Sequence, residues 1–252
     1  MKRQISLIIA VVLLLTLFSG CGKKETVDPM DGVKETLVPI EGVDGGMLVK
    51  EKKYEYDGKN VMLLNVENQT DADYTVTING KYLDAEGNEI KSMSQTFDGF
   101  PAGYKNYFLF KPGITFDSFS YEMTATPHSG TAFAKYLTSD SNVKFAPVPS
   151  NLDENNEVQD EVYTELEFEF PFNNSYTDTL YFEAAFIVFD KNGRIYYIDD
   201  KFSGGIISPS SGSISKTRFI RLYDTPWGEY QMPDELDGDL TGITCFTKVS
   251  DK

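Results

Sequence analysis

The strongest constraint on the fold is a strand-type alternation of apolar and other residues that occurs in both halves of the chain. Met62, Leu64 and Val66 are each separated by one residue in the first half, and Phe168 and Phe170 alternate with glutamates in the second. A period of two is typical of β-strands with one buried face. Because long amphipathic helical patterns are absent, the sequence predicts an all-β protein.

The chain also repeats itself when it is shifted by 106 residues. The turn residues that coincide are Asn68 with Asn174, Asp84 with Asp190, and Gly87 with Gly193. Asn and Asp side chains bond to nearby backbone in turns, and Gly adopts the positive φ that other residues resist. We therefore interpret these six residues as structural turns rather than as calcium ligands, since each short turn offers too few oxygens for calcium.

Evenly spaced short strands with turn signals predict β-sandwiches, and the repeat predicts two of them in tandem. The predicted segments are a signal peptide at 1–20, a lipidated cysteine and flexible tether at 21–47, a first sandwich at 48–126, a linker or domain join at 127–160, and a second sandwich at 161–252. A transport subunit of the α/β type is disfavoured, because strands do not alternate with helices.

A family resemblance appears in the second half. Residues 186–190, Phe-Ile-Val-Phe-Asp, followed by Lys-Asn-Gly, resemble the F-x-[LV]-[YF]-D-x-[DN]-G signature of FxLYD-type domains. The first half departs from it, since Gly80 replaces the Phe and Tyr82-Leu83 inverts the central pair. The resemblance implies immunoglobulin-like modules of bacterial surface lipoproteins, and it implies no catalytic role.

The first residues predict where the protein resides. Lys2 and Arg3 precede an uncharged apolar stretch at 5–17, and Phe18-Ser19-Gly20-Cys21 follows. This layout is typical of a secretory signal. It resembles the bacterial lipoprotein signal, although Phe18 stands where Leu is usual. The resemblance implies that Cys21 is lipidated and that acyl chains anchor the protein to the membrane. An ordinary cleaved signal with a chance cysteine is the alternative.

Composition excludes several function classes. The net charge is −16, which opposes nucleic acid binding because phosphates are bound by Lys and Arg. Cys245 is the only cysteine besides Cys21, so we expect no internal disulfide and a buried core thiol. His128 is the only histidine and is predicted to be an exposed linker residue, which leaves no histidine-based catalytic relay. No cofactor motif occurs, and no cofactor is expected.

One segment breaks the repeat. The connection at 222–240 is longer than its counterpart in the first half, and long sandwich-end loops are common binding sites. The candidate contact residues are Tyr223, Trp227, Tyr230 and Met232. The alternative is that Trp227 covers the end of the core. No metal is expected, and the acidic residues that calcium would use first are Asp234, Asp237 and Asp239.

These observations together predict a lipid-anchored, extracytoplasmic, non-catalytic binding, adhesion or scaffold module. Its expected partners are the membrane, through the lipid anchor, and a protein or glycan of the cell envelope or host. An alternative is a carbohydrate-binding or accessory subunit of an envelope or uptake machine. A carboxylate-based hydrolase is the third possibility.

Overall fold

The computed structural model describes residues 28–152, 158–221 and 240–251. Within these ranges the chain forms antiparallel β-strands and one 3-10 helix, Phe133–Tyr136, and no α-helix. The all-β prediction is therefore confirmed. None of the helical segments in these ranges is long and apolar enough to cross a membrane.

The first half of the chain contributes two sheets. The strands are β1 Glu35–Pro39, β2 Gly46–Tyr56, β3 Lys59–Asn68, β4 Tyr74–Leu83, β5 Glu89–Phe100, β6 Lys105–Phe110 and β7 Ser118–Pro127. Sheet 1 has the order β5-β4-β7, and sheet 2 has the order β1-β2-β3-β6.

The second half contributes two more sheets. The strands are β8 Leu137–Ser139, β9 Lys144–Leu152, β10 Val158–Asn174, β11 Leu180–Phe189, β12 Ile195–Ile207, β13 Ser210–Arg221 and β14 Thr241–Ser250. Sheet 3 has the order β12-β11-β14, and in sheet 4 strand β10 pairs with β13 on one edge and with β8 and β9 on the other.

Aromatic side chains pack each pair of sheets face to face. Phe97 of sheet 1 contacts Phe108 of sheet 2, with ring centroids 6.4 Å apart. Phe170 of sheet 4 contacts Phe186 of sheet 3 at 4.3 Å. These four rings are all buried. Alternating strand residues thus pack sheet 1 on sheet 2 and sheet 3 on sheet 4, and the buried residues of both pairs belong to one continuous apolar cluster.

The repeat found in the sequence is present in the fold. Shifting β4 by 106 residues gives the bounds of β11, and the same shift carries the start of β5 to the start of β12. Sheets 1 and 3 also share one strand order, since β5-β4-β7 corresponds to β12-β11-β14. The halves are two versions of one supersecondary plan.

A third apolar layer joins the halves. Val61 and Leu63 on the outer face of sheet 2 belong to one buried cluster with Ile187 and Phe189 on the outer face of sheet 3. Tyr54 of β2 contacts Phe189 with ring centroids 5.7 Å apart. The sheets therefore stack in the order 1-2-3-4, and we call the contact between sheets 2 and 3 the seam.

The predicted tether is wrong for the part of 21–47 that the structure describes. Strand β1 lies inside this range and pairs with β2, which itself begins at Gly46. Met30 is 1% exposed and belongs to the seam cluster. The tether was predicted from a composition rich in Gly and Asp with no apolar alternation. Strand β1 gives no such alternation because it has one partially buried side chain and four exposed ones.

The predicted join at 127–160 is also wrong. Strands β8 and β9 lie in this range, and β10 begins at Val158. All three belong to sheet 4, because β8 and β9 pair with β10. The prolines that broke the sequence pattern at 147 and 149 lie in β9, whose one partner among the described strands is β10. An edge is where a strand tolerates proline.

Candidate functional site

The two predicted turn asparagines have equivalent buried positions in the two halves. Asn68 is 0% exposed, and its Nδ2 donates to three backbone carbonyls at 2.9–3.3 Å. Asn174 is 2% exposed, and its Nδ2 donates to two carbonyls at 2.8 and 2.9 Å. Each Oδ1 accepts the backbone N–H two residues later. Both side chains hold a loop to its neighbouring strand.

The predicted aspartate turns also have local backbone bonds. Oδ1 of Asp84 accepts the N–H of Glu86 and Asn88 at 3.1 and 2.8 Å. Gly87 has φ +84° in the first half, and Gly193 has φ +72° in the second. These are the positive values that the turn interpretation requires.

Asp190 makes the stronger set of bonds. Its Oδ1 accepts the N–H of Asn192 and Arg194 at 2.8 and 2.9 Å, and its Oδ2 accepts Nε–H of Arg194 at 2.7 Å. Burial raises the pKa of this carboxyl, but the bonds from Arg194 and Asn192 outweigh burial and hold the pKa below its ordinary value. Asp190 is thus fully engaged within its own turn.

Several predicted residues lie outside the described ranges. These are Cys21, Tyr223, Trp227, Tyr230, Met232, Asp234, Asp237 and Asp239. The lipidation, contact-loop and calcium hypotheses at these positions stay predictions. In the ranges that are described, no cluster of three His, Cys, Asp or Glu side chains could hold a metal ion.

The exposed-linker prediction for His128 is wrong. Its side chain is 15% exposed, and Nδ1 lies 3.2 Å from Oδ1 of Asp98. The ring lies over Gly99, where an added Cβ would come within 3.1 Å of Nε2. By contrast, the core-thiol prediction for Cys245 is confirmed, since the residue is 1% exposed and burial raises its thiol pKa.

The sequence did not predict the cavities, which lie along the seam. One of them has a volume of ≈ 910 Å³ and opens between the β2–β3 hairpin and the Asp190 turn. We call it the tyrosine groove, and its lining includes Lys52, Tyr54, Tyr56, Asn192, Arg194, Tyr196 and Tyr197. Two smaller cavities of ≈ 320 and ≈ 390 Å³ lie elsewhere on the same seam.

The walls of the tyrosine groove are fixed by contacts within each half and by one hydrogen bond between the halves, from Ile198 to Tyr56. The hydroxyl of Tyr54 donates to the carbonyl of Pro29 at 2.5 Å, and that of Tyr56 accepts the N–H of Ile198 at 3.3 Å. The ring of Tyr197 stacks on Phe168 at 5.3 Å with an interplanar angle of 8°. Burial raises the pKa of Tyr54, so its phenol stays neutral. The groove is preformed, which lowers the cost of binding.

The chemistry of this groove suits recognition. Aromatic rings provide apolar faces with polar edges, and Lys52 and Arg194 provide charged donors at the rim. The lining also includes the carboxylates of Glu55, Asp57 and Asp190, so both signs of charge are present in the groove.

No protein-family description, curated protein or solved structure matches this chain.

Proposed function

We propose that this chain is a lipid-anchored extracytoplasmic lipoprotein whose β-sandwich body is a non-catalytic binding module. The observation that carries the proposal is the tyrosine groove, a preformed cleft of ≈ 910 Å³ between the two halves. Its volume falls in the range of ligand sites, about 300–1,000 Å³. The resemblance of residues 186–193 to the FxLYD-type signature supports a surface lipoprotein, and two residues of that signature, Asp190 and Asn192, line the groove.

The proposed membrane localisation depends on Cys21 and on the signal sequence that precedes it. Cys21→Ser removes the thiol that would carry the lipid, and we expect loss of lipid labelling and release from the membrane fraction. If the processed variant stays membrane-bound, the lipoprotein proposal is wrong.

A second candidate function is carbohydrate binding. The specific observation that favours it is the presence of four tyrosines among the residues lining the groove, Tyr54, Tyr56, Tyr196 and Tyr197. Sugar rings present C–H faces to aromatic side chains and hydroxyls to charged and amide groups. A glycan array and a set of purified envelope proteins, tested with the same mature chain, distinguish a glycan ligand from a protein partner.

The test of the groove uses the repeat as its control. Asn192 is an exposed groove residue, and Glu86 occupies the equivalent position in the first-half turn. Asn192→Trp places a large ring in the groove, and we expect binding to any ligand found in the array or protein set to fall at least tenfold. Glu86→Trp adds the same ring to the other turn and should leave binding unchanged. If no ligand of either class binds, or if both variants bind like the wild type, the groove is not the site.

A further inference from the structure

The first described residues of the chain lie inside the seam. Met30 is 1% exposed and belongs to the same buried cluster as Leu63 of the first half and Ile187 of the second. Val33 is partly buried and packs against that cluster. Because this segment packs on apolar side chains of both halves, we call residues 28–33 the strap.

Hydrogen bonds hold the strap in place. The carbonyl of Pro29 accepts the hydroxyl of Tyr54 at 2.5 Å and Nζ of Lys52 at 3.0 Å. Oδ1 of Asp28 accepts the N–H of Met30 at 2.8 Å, which closes a turn at the start of the strap. Pro29 and Tyr54 are buried, so breaking the bond between them would leave two buried polar groups unpaired. The strap is therefore a fixed part of the body.

The strap shortens the link between the body and the predicted lipid. Asp28 follows Cys21 by seven residues, and seven residues span at most about 25 Å when fully extended. A free tether over the whole of 21–47 would span roughly 90 Å. Fixing residues 28–33 in the seam thus removes most of the reach that the tether prediction implied.

The start of the strap lies beside both halves of the molecule. Asp28 lines the cavity of ≈ 320 Å³ together with Lys105 of β6 in the first half and Thr241 of β14 in the second. Lys52 and Tyr54, which bond to Pro29, also line the tyrosine groove. Both halves and the groove are therefore tied to the point where the chain leaves the body.

We propose that the strap clamps the lipid-linked end of the chain in the seam and holds the Asp28 end of the seam within about 25 Å of the bilayer. This inference rests on the proposed lipidation of Cys21. It favours a partner that lies at the membrane surface, because groove residues bond directly to the strap.

Hydrogen exchange tests the strap without the lipid, in the mature chain carrying Cys21→Ser. The N–H of Val33 donates to the carbonyl of Met30 at 3.2 Å, so we expect this amide to exchange slowly. Met30→Lys places an ammonium in the apolar cluster and should bring the exchange of Val33 to the rate of an unstructured peptide. Leu37→Lys makes the same kind of change at a residue of β1 that is 49% exposed, and it should leave Val33 protected.

Tyr54→Phe is a milder variant in case Met30→Lys does not fold. It removes one donor to Pro29 and should speed exchange in the strap about three- to tenfold. The strap is overturned if residues 28–33 already exchange at the peptide rate in the parent chain, or if Tyr54→Phe and a folded Met30→Lys both leave the rate unchanged.

Energy transfer tests the distance, with the lipidated mature chain in phosphatidylcholine vesicles that contain an acceptor-labelled lipid. The donor dye is attached to Lys105→Cys, an exposed position that lines the same cavity as Asp28, while Cys245 is buried and protected from the dye. We expect strong transfer. Inserting about 14 Gly and Ser residues between Lys24 and Glu25 triples the extended span of the link, and transfer should fall about twofold or more.

The two measurements separate the possible failures. Equal transfer with and without the insertion would show that the link does not set the distance, which overturns the proposal. If the wild type does not bind to the vesicles, the lipid anchor itself is wrong and the membrane position falls with it. The exchange data then still decide whether the strap is fixed in the seam.

Discussion

At the scale of single residues, the two aspartate turns share the same side-chain bonds to backbone N–H groups but differ in burial and in nearby charge. Asp84 bonds to Asn88 through both oxygens and is partly open to solvent, whereas Asp190 is 3% exposed and pairs with the guanidinium of Arg194. Hydrogen bonds lower the pKa of Asp84 as well, with the Asn88 side chain as the largest cause. The buried turn therefore depends more strongly on its charge.

Asp190→Asn tests that dependence. Asn keeps an oxygen for the two backbone N–H groups but loses the charged acceptor of Arg194 Nε. We expect a loss of about 1 kcal/mol in unfolding free energy at pH 7. The native carboxyl pKa is lowered, so the stability from its charge is present above the ordinary range near 4 and is lost as pH falls below it. Urea unfolding at pH 7 and pH 3 should therefore show a smaller difference between variant and wild type at pH 3. A constant difference would contradict the charge argument.

The two aspartate turns were predictable from the sequence because the side chains of Asp84 and Asp190 bond to backbone only two to four residues away. His128 was not predictable, since its position depends on Asp98 and Gly99, which lie on another strand. The tyrosine groove was missed for the same reason. Its tyrosines come from β2 and β12, and only the packing of the halves brings them together.

At the scale of strands, the side chain of Asn106 bonds an edge strand of the first half to the backbone of a strand in the second half. Asn106 of β6 bonds to both the N–H and the C=O of Phe246 in β14, as a neighbouring strand would. Asn65 of the adjacent strand β3 is similarly buried at 5%, but its Nδ2 has no partner among the described residues. Two buried asparagines on neighbouring strands thus differ in whether their amides are satisfied.

Replacing each of these two asparagines by leucine tests whether the hydrogen bonds of the amide stabilise the fold. Asn106→Leu leaves two buried backbone groups of Phe246 unpaired, and we expect it to cost about 2 kcal/mol or more. Asn65→Leu removes an unsatisfied amide and should be neutral or slightly stabilising. Urea denaturation of both variants measures the free energies. Equal losses for the two would show that size, rather than hydrogen bonding, decides the cost.

The positions of strands were predictable from the sequence where the side chains of a strand alternate between an apolar and a polar face. The alternation and the repeat identified β4 and β11 as equivalents, and their bounds differ by the repeat length. Strands β1, β8 and β9 were not predicted. Strand β1 carries little apolar surface of its own, β8 has three residues, and β9 contains two prolines. Their pairing partners, rather than their own patterns, make them strands.

At the scale of the whole molecule, the repeat explains why the stack of sheets ends after four layers. Val61 and Leu63 face the seam, while their repeat counterparts on sheet 4 are Glu167 and Glu169. Ile187 also faces the seam, and the counterpart of this residue on sheet 1 is Lys81. The same structural position is apolar where the halves meet and charged where the stack meets solvent. Polar terminal faces of this kind keep repeat assemblies from extending.

Exchanging one seam residue for its counterpart tests this account. Ile187→Lys places an ammonium in the seam with no paired charge, and we expect the unfolding free energy to fall by roughly 3 kcal/mol or more as the halves separate. Cys245 lies in the seam cluster and is the only thiol once Cys21 is replaced by Ser. Its labelling rate with a maleimide should rise sharply in Ile187→Lys while far-ultraviolet circular dichroism keeps its β signal. Lys81→Ile is the reciprocal control at the solvent face of sheet 1, and it should leave Cys245 protected. If Cys245 in Ile187→Lys stays as protected as in the wild type, the seam does not depend on the apolar identity of this position, and the contrast between repeat counterparts does not explain how the halves join.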